Sequence, residues 1–521
     1  MSKTVHIPLK TNNQSINIAL DTIQIGKQAL IFVNTKRSAE KLSEDISKKI
    51  KHISLPTLSA SILKAVSSPT KQCRRLSKIV EKGVAFHHAG LVSKQRELIE
   101  DKFREGVIKV ICCTPTLAFG LDMPAFRAVI RDLKRFSVGT SWGMTDIPVL
   151  EYMQMAGRAG RPGKEDYGEA ICIAQTESDK DFIEQKYIEG EPECIYSKLA
   201  VEPVLRTYLL SLIASHFVRT YDDIITFFSK TFWAYQFEDM NRLESIINKM
   251  LKLLVDFEFI EMSETTDDFV SAQEMAERKV KATKLGERVA QLYIDPLTAN
   301  KLIEDMKASA EQDLTAFSVL HMVCSTLELR PYLRIKAKEV DKIEERYAEF
   351  ADEILADEPE MFEDHYSDFM DSIKTSLFMY DWIEEKGEEY LLETFDIRPG
   401  EIKAKLDRAD WLLYACVELS KIIGLTKVNK DITKTRMRLK SGVKEELLSL
   451  LRLKGVGRIR ARKMFNNGIK DLKDAKTCDL TKLAQLIGRA ISYKIKEQLG
   501  QKVTPIKENK RKGQINLNDF R

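Results

Sequence analysis

Two arginines set among glycines are the residues of this chain best equipped for chemistry. In Gln154-Met-Ala-Gly-Arg-Ala-Gly-Arg-Pro-Gly163, Gln154 and Arg158 lie four apart and Arg161 three further on. A helical path continued through them puts all three on one face. Guanidinium groups beside glycines, where backbone can approach closely, grip a polyanionic phosphate through paired hydrogen bonds. A basic helix end closed by a glycine cap is the competing structural account. The helix that carries these residues is predicted to begin at Pro148, with Asp146 as its cap, and to run to about Arg158.

Such a site needs a scaffold, and the preceding chain supplies one. After a linker and a first helix within 1–26, short apolar runs at 29–33, 84–86, 107–113, 128–130 and 170–174 alternate with helical stretches beginning near Ser38 and Ser93. That alternation predicts a parallel α/β sheet. Ligand-contacting residues in such sheets lie in loops beyond the strand C-termini. Here those loops hold Asn34-Thr35, the His88–Gly90 turn and 114–124. His87 and His88 have no companion ligands in the sequence, so no metal site is expected.

The order of these pieces is specific. "ALIFVNTKRSAE", "FHHAGL", "TPTLAFGLDMPA" and "EYMQMAGRAGRPG" resemble motifs IV, IVa, V and VI of superfamily 2 helicases, most closely the archaeal Hjm-type, HELQ-like DNA repair helicases. The resemblance covers nearly the whole chain. It implies an α/β RecA-like domain followed by mainly α domains: a winged helix, a helical ratchet bundle and a helix–hairpin–helix. By the same resemblance Thr35, Gly90, Thr114 and Thr116 line the track of a single-stranded backbone. Gly120 and Asp122 stand at the nucleotide edge, and Arg158 and Arg161, with Gln154, face ATP. That family usually has Asn where this chain has Asp122, which adds an anion near a nucleotide.

Residues 1–185 thus read as a second RecA-like domain. Within it, 131–147 has two potential strands around a Gly/Ser/Thr tip, a β-hairpin pattern. The resemblance makes it a strand-separating hairpin, with Phe136, Trp142 and Met144 able to stack on a terminal base pair; a loop with its Trp folded back is the alternative. Residues 186–296 read as a winged helix with its hairpin near 257–260 and 281–284. Residues 297–430 form an acidic helical segment. Asp357-Glu-Pro-Glu360 is no DExx box, because it lacks a preceding apolar strand. Lys403 and Trp411 are eight apart, close to one helical face. A cation beside an indole suits a phosphate plus a stacked base, as in the family's ratchet helix, and a core Trp is the alternative. Residues 431–502 contain a helix, a Gly455-Val-Gly457 turn and a second helix, with Arg458, Arg460 and Arg462 around it. This helix–hairpin–helix signature aims backbone N–H groups at a DNA phosphate, with protein docking as its rival role. In the 503–521 tail, Gln514, Leu517 and Phe520 have the spacing of a sliding-clamp-binding peptide, although Arg521 replaces the second aromatic.

Charge agrees with that division. Residues 431–521 hold 24 Lys+Arg against 9 Asp+Glu, a net of +15, which leaves −11 for 1–430; a basic C-terminal quarter suits nucleic acid. The eight cysteines form no C-x-x-C pair, arguing against zinc or a disulfide frame. No run of about eighteen apolar residues signals a membrane span, so the expected partner is DNA rather than a membrane, in a cytoplasmic, nucleoid-associated protein.

The sequence contains neither G-x-x-x-x-G-K-[ST] nor an acidic Mg²⁺ motif, both of which ATP hydrolysis by this machinery requires. The expectation is therefore the C-terminal half of an ATP- and Mg²⁺-dependent 3′→5′ DNA helicase acting on forked or branched DNA in repair and recombination. A separate chain would carry the first RecA-like domain and the Mg²⁺ ligands, and this chain alone would be inactive. Further expected partners are a sliding clamp or a single-strand-binding protein. The rival readings are a non-catalytic branched-DNA-binding module and half of an RNA helicase.

Overall fold

Apolar runs buried on both faces build a parallel sheet when helices cover each side, and the N-terminal part of this chain does so. The computed structural model describes residues 5–501 apart from 67, 121, 138–142, 161, 162, 164, 165, 200, 264–277, 311–313, 361 and 364. Strands β1 (Ala29–Phe32), β2 (Val84–His87), β3 (Val110–Cys113), β4 (Arg127–Ile130) and β7 (Glu169–Cys172) form one all-parallel sheet in the order β2-β3-β1-β4-β7. Every residue of β1 through β4 is buried. The helices α1 (Gln14–Gln24), α2 (Lys36–Ser47), α3 (Pro56–Lys64), α4 (Lys71–Val80), α5 (Ser93–Arg104) and α6 (Val149–Ala156) belong to the same domain. Asn13, Thr35 and Thr70 cap α1, α2 and α4 through their side chains. One charge is buried in the sheet: Arg127 on β4 reaches Asp21 and Glu169, both at 2.6 Å.

Several expectations need correction. The third strand was expected from 107 but pairs only from Val110. The helix expected from near Ser93 does start there, but Val92 holds the cap position and no side chain caps it. Asp146 does not cap α6 either, because its carboxylate takes Lys186 Nζ at 2.7 Å. The α6 cap comes instead from Glu193, which accepts from Val149 N at 2.6 Å and Leu150 N at 3.2 Å.

The chain divides into two compact units, Met1–Ser197 with Glu388–Ala404, and Lys198–Gly387 with Lys405–Arg521. Glu388–Ala404, which the sequence groups with the helical segment, therefore clusters with the sheet domain. In the second unit, helices such as Tyr221–Ser229 and Met240–Asp256 precede a two-stranded antiparallel wing, β8 (Ile260–Met262) with β9 (Val280–Ala282). Long helices follow, among them Pro296–Ala308, Tyr366–Ile383 and Thr426–Ser441. The last 60 or so described residues have their own apolar core, including Leu447, Leu450, Met464, Leu483 and Ile495. Among the described residues no helix is long and apolar enough to cross a membrane.

Candidate functional site

Sheet order places the first part of the site. Because β1, β3 and β2 are neighbours and parallel, the loops leaving their C-terminal ends share one edge. Thr35 Oγ1 accepts from Ser38 N at 3.0 Å, and its hydroxyl donates to Ser38 Oγ at 2.7 Å. Thr114 and Thr116 hydroxyls lie 2.9 Å apart. The Asn34 N–H donates to Asp132 Oδ2 at 2.9 Å, tying the first loop to the exit of β4. Thr35, Thr114, Thr116 and Ala89 line one open cavity of about 590 Å³, with Arg37, Arg135 and Arg398 also on its wall. Hydroxyls and guanidiniums on one concave edge make a surface suited to a phosphodiester backbone.

A buried polar knot fixes this edge. Glu40 on α2 accepts from His88 Nε2 at 3.2 Å, Gln72 Nε2 at 2.8 Å, Arg75 at 2.8 Å and Arg398 Nε at 3.2 Å. Gly90 N–H donates to His88 Nδ1 at 3.1 Å, so the ring proton sits on Nε2 and the imidazole is neutral. Burial lowers the His88 pKa, in keeping with that state. Burial alone would raise the Glu40 pKa, but hydrogen bonds from His88 and Gln72 and the charge of Arg398 hold it at about 2. His87 turns instead to Glu100, at 2.9 Å.

The Glu388–Ala404 segment locks onto the same turn. Gly400 N–H donates to Gly90 O at 3.0 Å. Arg37 pairs with Asp396 at 2.9 Å, and Lys36 pairs with Glu401. A Cβ on Gly400 would lie 2.2 Å from Ala89 O and 2.6 Å from Leu91 O, so only glycine fits. Gly400→Ala is expected to lower stability by about 1–3 kcal/mol through this overlap. Denaturant titration checks it, and an unchanged midpoint would mean the two backbones can part at no cost.

The second part of the site joins the 114–124 loop to the end of α6. Ala125 N–H donates to Arg158 O at 2.9 Å, and Gly160 N–H donates to Ala125 O at 2.7 Å. The Arg158 guanidinium donates to Ala118 O. Among the described residues no carboxylate is paired with Arg158. Gln154 is half-buried on α6; Gly120, at φ +74°, and Asp122 are exposed, and Asp122 O accepts from Arg104 Nε at 3.4 Å. Arg161 lies outside the described residues.

After β4 the chain forms an antiparallel hairpin, β5 (Lys134–Ser137) with β6 (Gly143–Asp146), in which Phe136 is opposite Met144. Met144 is exposed. Trp142 lies outside the described residues, as do Gln514, Leu517 and Phe520 of the tail.

The remaining sequence-picked residues are placed less uniformly. Lys403 and Trp411 share the helix Pro399–Ile422. Lys403 is exposed, whereas Trp411 is half-buried with its indole N–H given to Leu292 O at 3.0 Å. That bond ties the ring to the protein, a correction towards its packing role. Gly455, at φ +88°, and Gly457 form the expected turn, and Gly457 starts the helix Arg458–Asn466 with no side-chain cap. The helix expected before the turn is instead a pair of 3₁₀ turns, Glu445–Leu447 and Leu450–Arg452. Arg460 is exposed and donates to Gly455 O at 2.8 Å. Arg458 stacks on Trp382 at 5.2 Å and donates to Lys386 O. Arg462 is corrected: its guanidinium is committed to Glu385 at 2.6 Å and Glu446 at 2.7 Å, and the Glu385 hydrogen bond raises its pKa further. Glu385→Ala should cost about 2 kcal/mol and reduce amide protection in 443–500. Unaltered hydrogen exchange there would show that this pair does not hold the C-terminal core.

Sequence reasoning missed Glu40, Arg398, Glu193 and Glu385. Each acts on a residue far away in the chain, so no local pattern marks it.

Residues 63–163 match the family described as helicase conserved C-terminal domain, 168–261 a helix-turn-helix domain, and 317–442 archaeal helicase, domain 4. The chain is 37% identical over 499 residues to the ATP-dependent DNA helicase Hel308 of Methanocella arvoryzae, covering 94% of this chain and 65% of that protein. It is 37% identical over 505 residues to Hel308 of Pyrococcus horikoshii, covering 96% and 67%. With Hel308 of Methanococcus vannielii the identity is 34% over 531 residues, covering 94% and 68%. The chain thus spans about two thirds of the length of these curated relatives.

Proposed function

The chain belongs to the Hel308 helicase family, and from that premise we propose that it forms the second motor domain and the DNA-handling domains of an ATP-dependent 3′→5′ DNA helicase. Its substrate is forked or branched DNA met in replication-fork repair and recombination. The observation that carries this reading is the convergence of Thr35, Ala89, Thr114 and Thr116 on one cavity, next to a 114–124 loop hydrogen-bonded to the arginine-bearing end of α6.

In this reading Thr35, Gly90, Thr114 and Thr116 carry the single-stranded backbone. Gly120 and Asp122 border the nucleotide, and Arg158 and Arg161 meet its phosphates, with Gln154 beside them. ATP with Mg²⁺ supplies the free energy of translocation, and its Mg²⁺ ligands belong to a first RecA-like domain whose motifs these 521 residues do not contain. Residues 131–147 separate strands, 186–296 form the winged helix, 297–430 carry the ratchet helix with Lys403, and 431–502 hold duplex DNA through the Gly455–Gly457 turn and Arg460.

The deciding experiment mixes this chain with a first RecA-like domain and follows unwinding of forked DNA and of the equivalent RNA. ATP-dependent separation of DNA is the expected result. Preferential RNA unwinding would replace this reading with an RNA helicase, and tight fork binding without any ATP turnover would reduce it to a DNA-binding module.

A further inference from the structure

Arg398 is placed where no local motif of the sequence would put a DNA contact. It sits just before the helix Pro399–Ile422, yet its side chain lines the same cavity as Thr35, Thr114 and Thr116. Three constraints hold it there. Its Nε donates to Glu40 at 3.2 Å, its backbone N–H donates to Glu401 Oε2 at 2.9 Å, and its Cδ lies where a Cβ on Gly90 would come within 2.5 Å. The side chain is 17% exposed, so it is a wall of the cavity rather than a solvated surface arginine.

We propose that Arg398 is a phosphate-binding residue of the single-strand track, held in place by Glu40 and presented beside the Ala89–Gly90 peptide. The proposal rests on the reading of this cavity as the path of a DNA strand. A guanidinium can give Nε to a carboxylate and still offer its outer N–H pair to a phosphate, because the fork is planar and always charged. Neighbouring cations are less suited to the task. Arg37 is paired with Asp396 and Lys36 with Glu401, and Arg135 is drawn to Glu151 at 2.7 Å. Glu40 itself is shared with Arg75, His88 and Gln72, so Arg398 is only one of four donors hydrogen-bonded to it. The strand segment would thereby be gripped by a residue that precedes the helix bearing Lys403.

The test is equilibrium binding of a fluorescent oligothymidylate to the full chain, followed by anisotropy across a salt series. Arg398→Ala is expected to weaken binding roughly tenfold. It should also make the dependence of log affinity on log salt shallower by about 0.7, the share of one lost phosphate contact on a single strand. Arg398→Lys should restore the slope and part of the affinity. Arg74→Ala removes an ion pair to Glu389 in the same docked segment but outside the cavity, and should change neither quantity. The double variant Thr35→Ala with Thr116→Ala tests the track itself. If that variant weakens binding and Arg398→Ala does not, the proposal falls and the track stands. If neither weakens binding, both fall. Lost affinity with an unchanged salt slope would make Arg398 a structural residue only, and would also overturn the proposal.

Discussion

Arg161→Ala, in this chain assembled with a first RecA-like domain, is expected to slow DNA-stimulated ATP turnover by about 10³–10⁵-fold, the usual cost of losing an arginine finger. Single-strand affinity should stay within about twofold, because the hydroxyl-lined cavity belongs to other loops. Arg158→Ala should behave differently. Its guanidinium donates to Ala118 O, so removing the side chain takes away a hydrogen bond to the loop that carries Thr114 and Thr116, while the backbone bond from Ala125 N–H to its carbonyl stays. That variant should lose turnover and raise the DNA concentration needed for half-maximal stimulation, while Arg161→Ala changes the maximal rate alone. Turnover within about tenfold of the parent in Arg161→Ala would remove the finger assignment.

The contrast between these arginines shows what a sequence can and cannot disclose. The β1 to β4 strands were legible because each is a short apolar run. The loops at the strand ends followed from the alternation itself. What was hidden is non-local. Arg398 reaches Glu40 across 358 residues of chain, and Arg462 finds Glu385 across 77. A run of arginines after Gly457 reads as a DNA-facing cluster when their acidic partners are out of sight. The helix expected before the Gly455–Gly457 turn is two 3₁₀ turns for a local reason. Leu447, Leu450 and Leu453 are all buried, and a repeat of three fits a 3₁₀ path rather than one of 3.6 residues per turn.

Glu40→Ala should be the most damaging single change in the sheet domain, costing about 3–5 kcal/mol, because it leaves the Arg398 Nε and the buried His88 imidazole without their acceptor, while Arg75 keeps Glu44. Glu40→Gln, which keeps one acceptor oxygen and the shape, should cost less. The pH dependence separates charge from packing. The folded carboxyl titrates at about 2, below its ordinary 4.5. A depressed carboxylate contributes stability that is fully present above the unfolded value and is lost as pH falls through the folded one. The stability difference between the parent and Glu40→Gln should therefore be constant above pH 4.5, shrink between 4.5 and 2, and level off below that. Urea midpoints at a series of pH values measure it directly. A difference that does not change across this window would mean that Glu40 acts by shape alone. In that case the charge of the depressed carboxyl has no part in holding the His88–Gly90 turn, and Arg398 is held by the shape of Glu40, by its backbone bond to Glu401 and by its packing at Gly90.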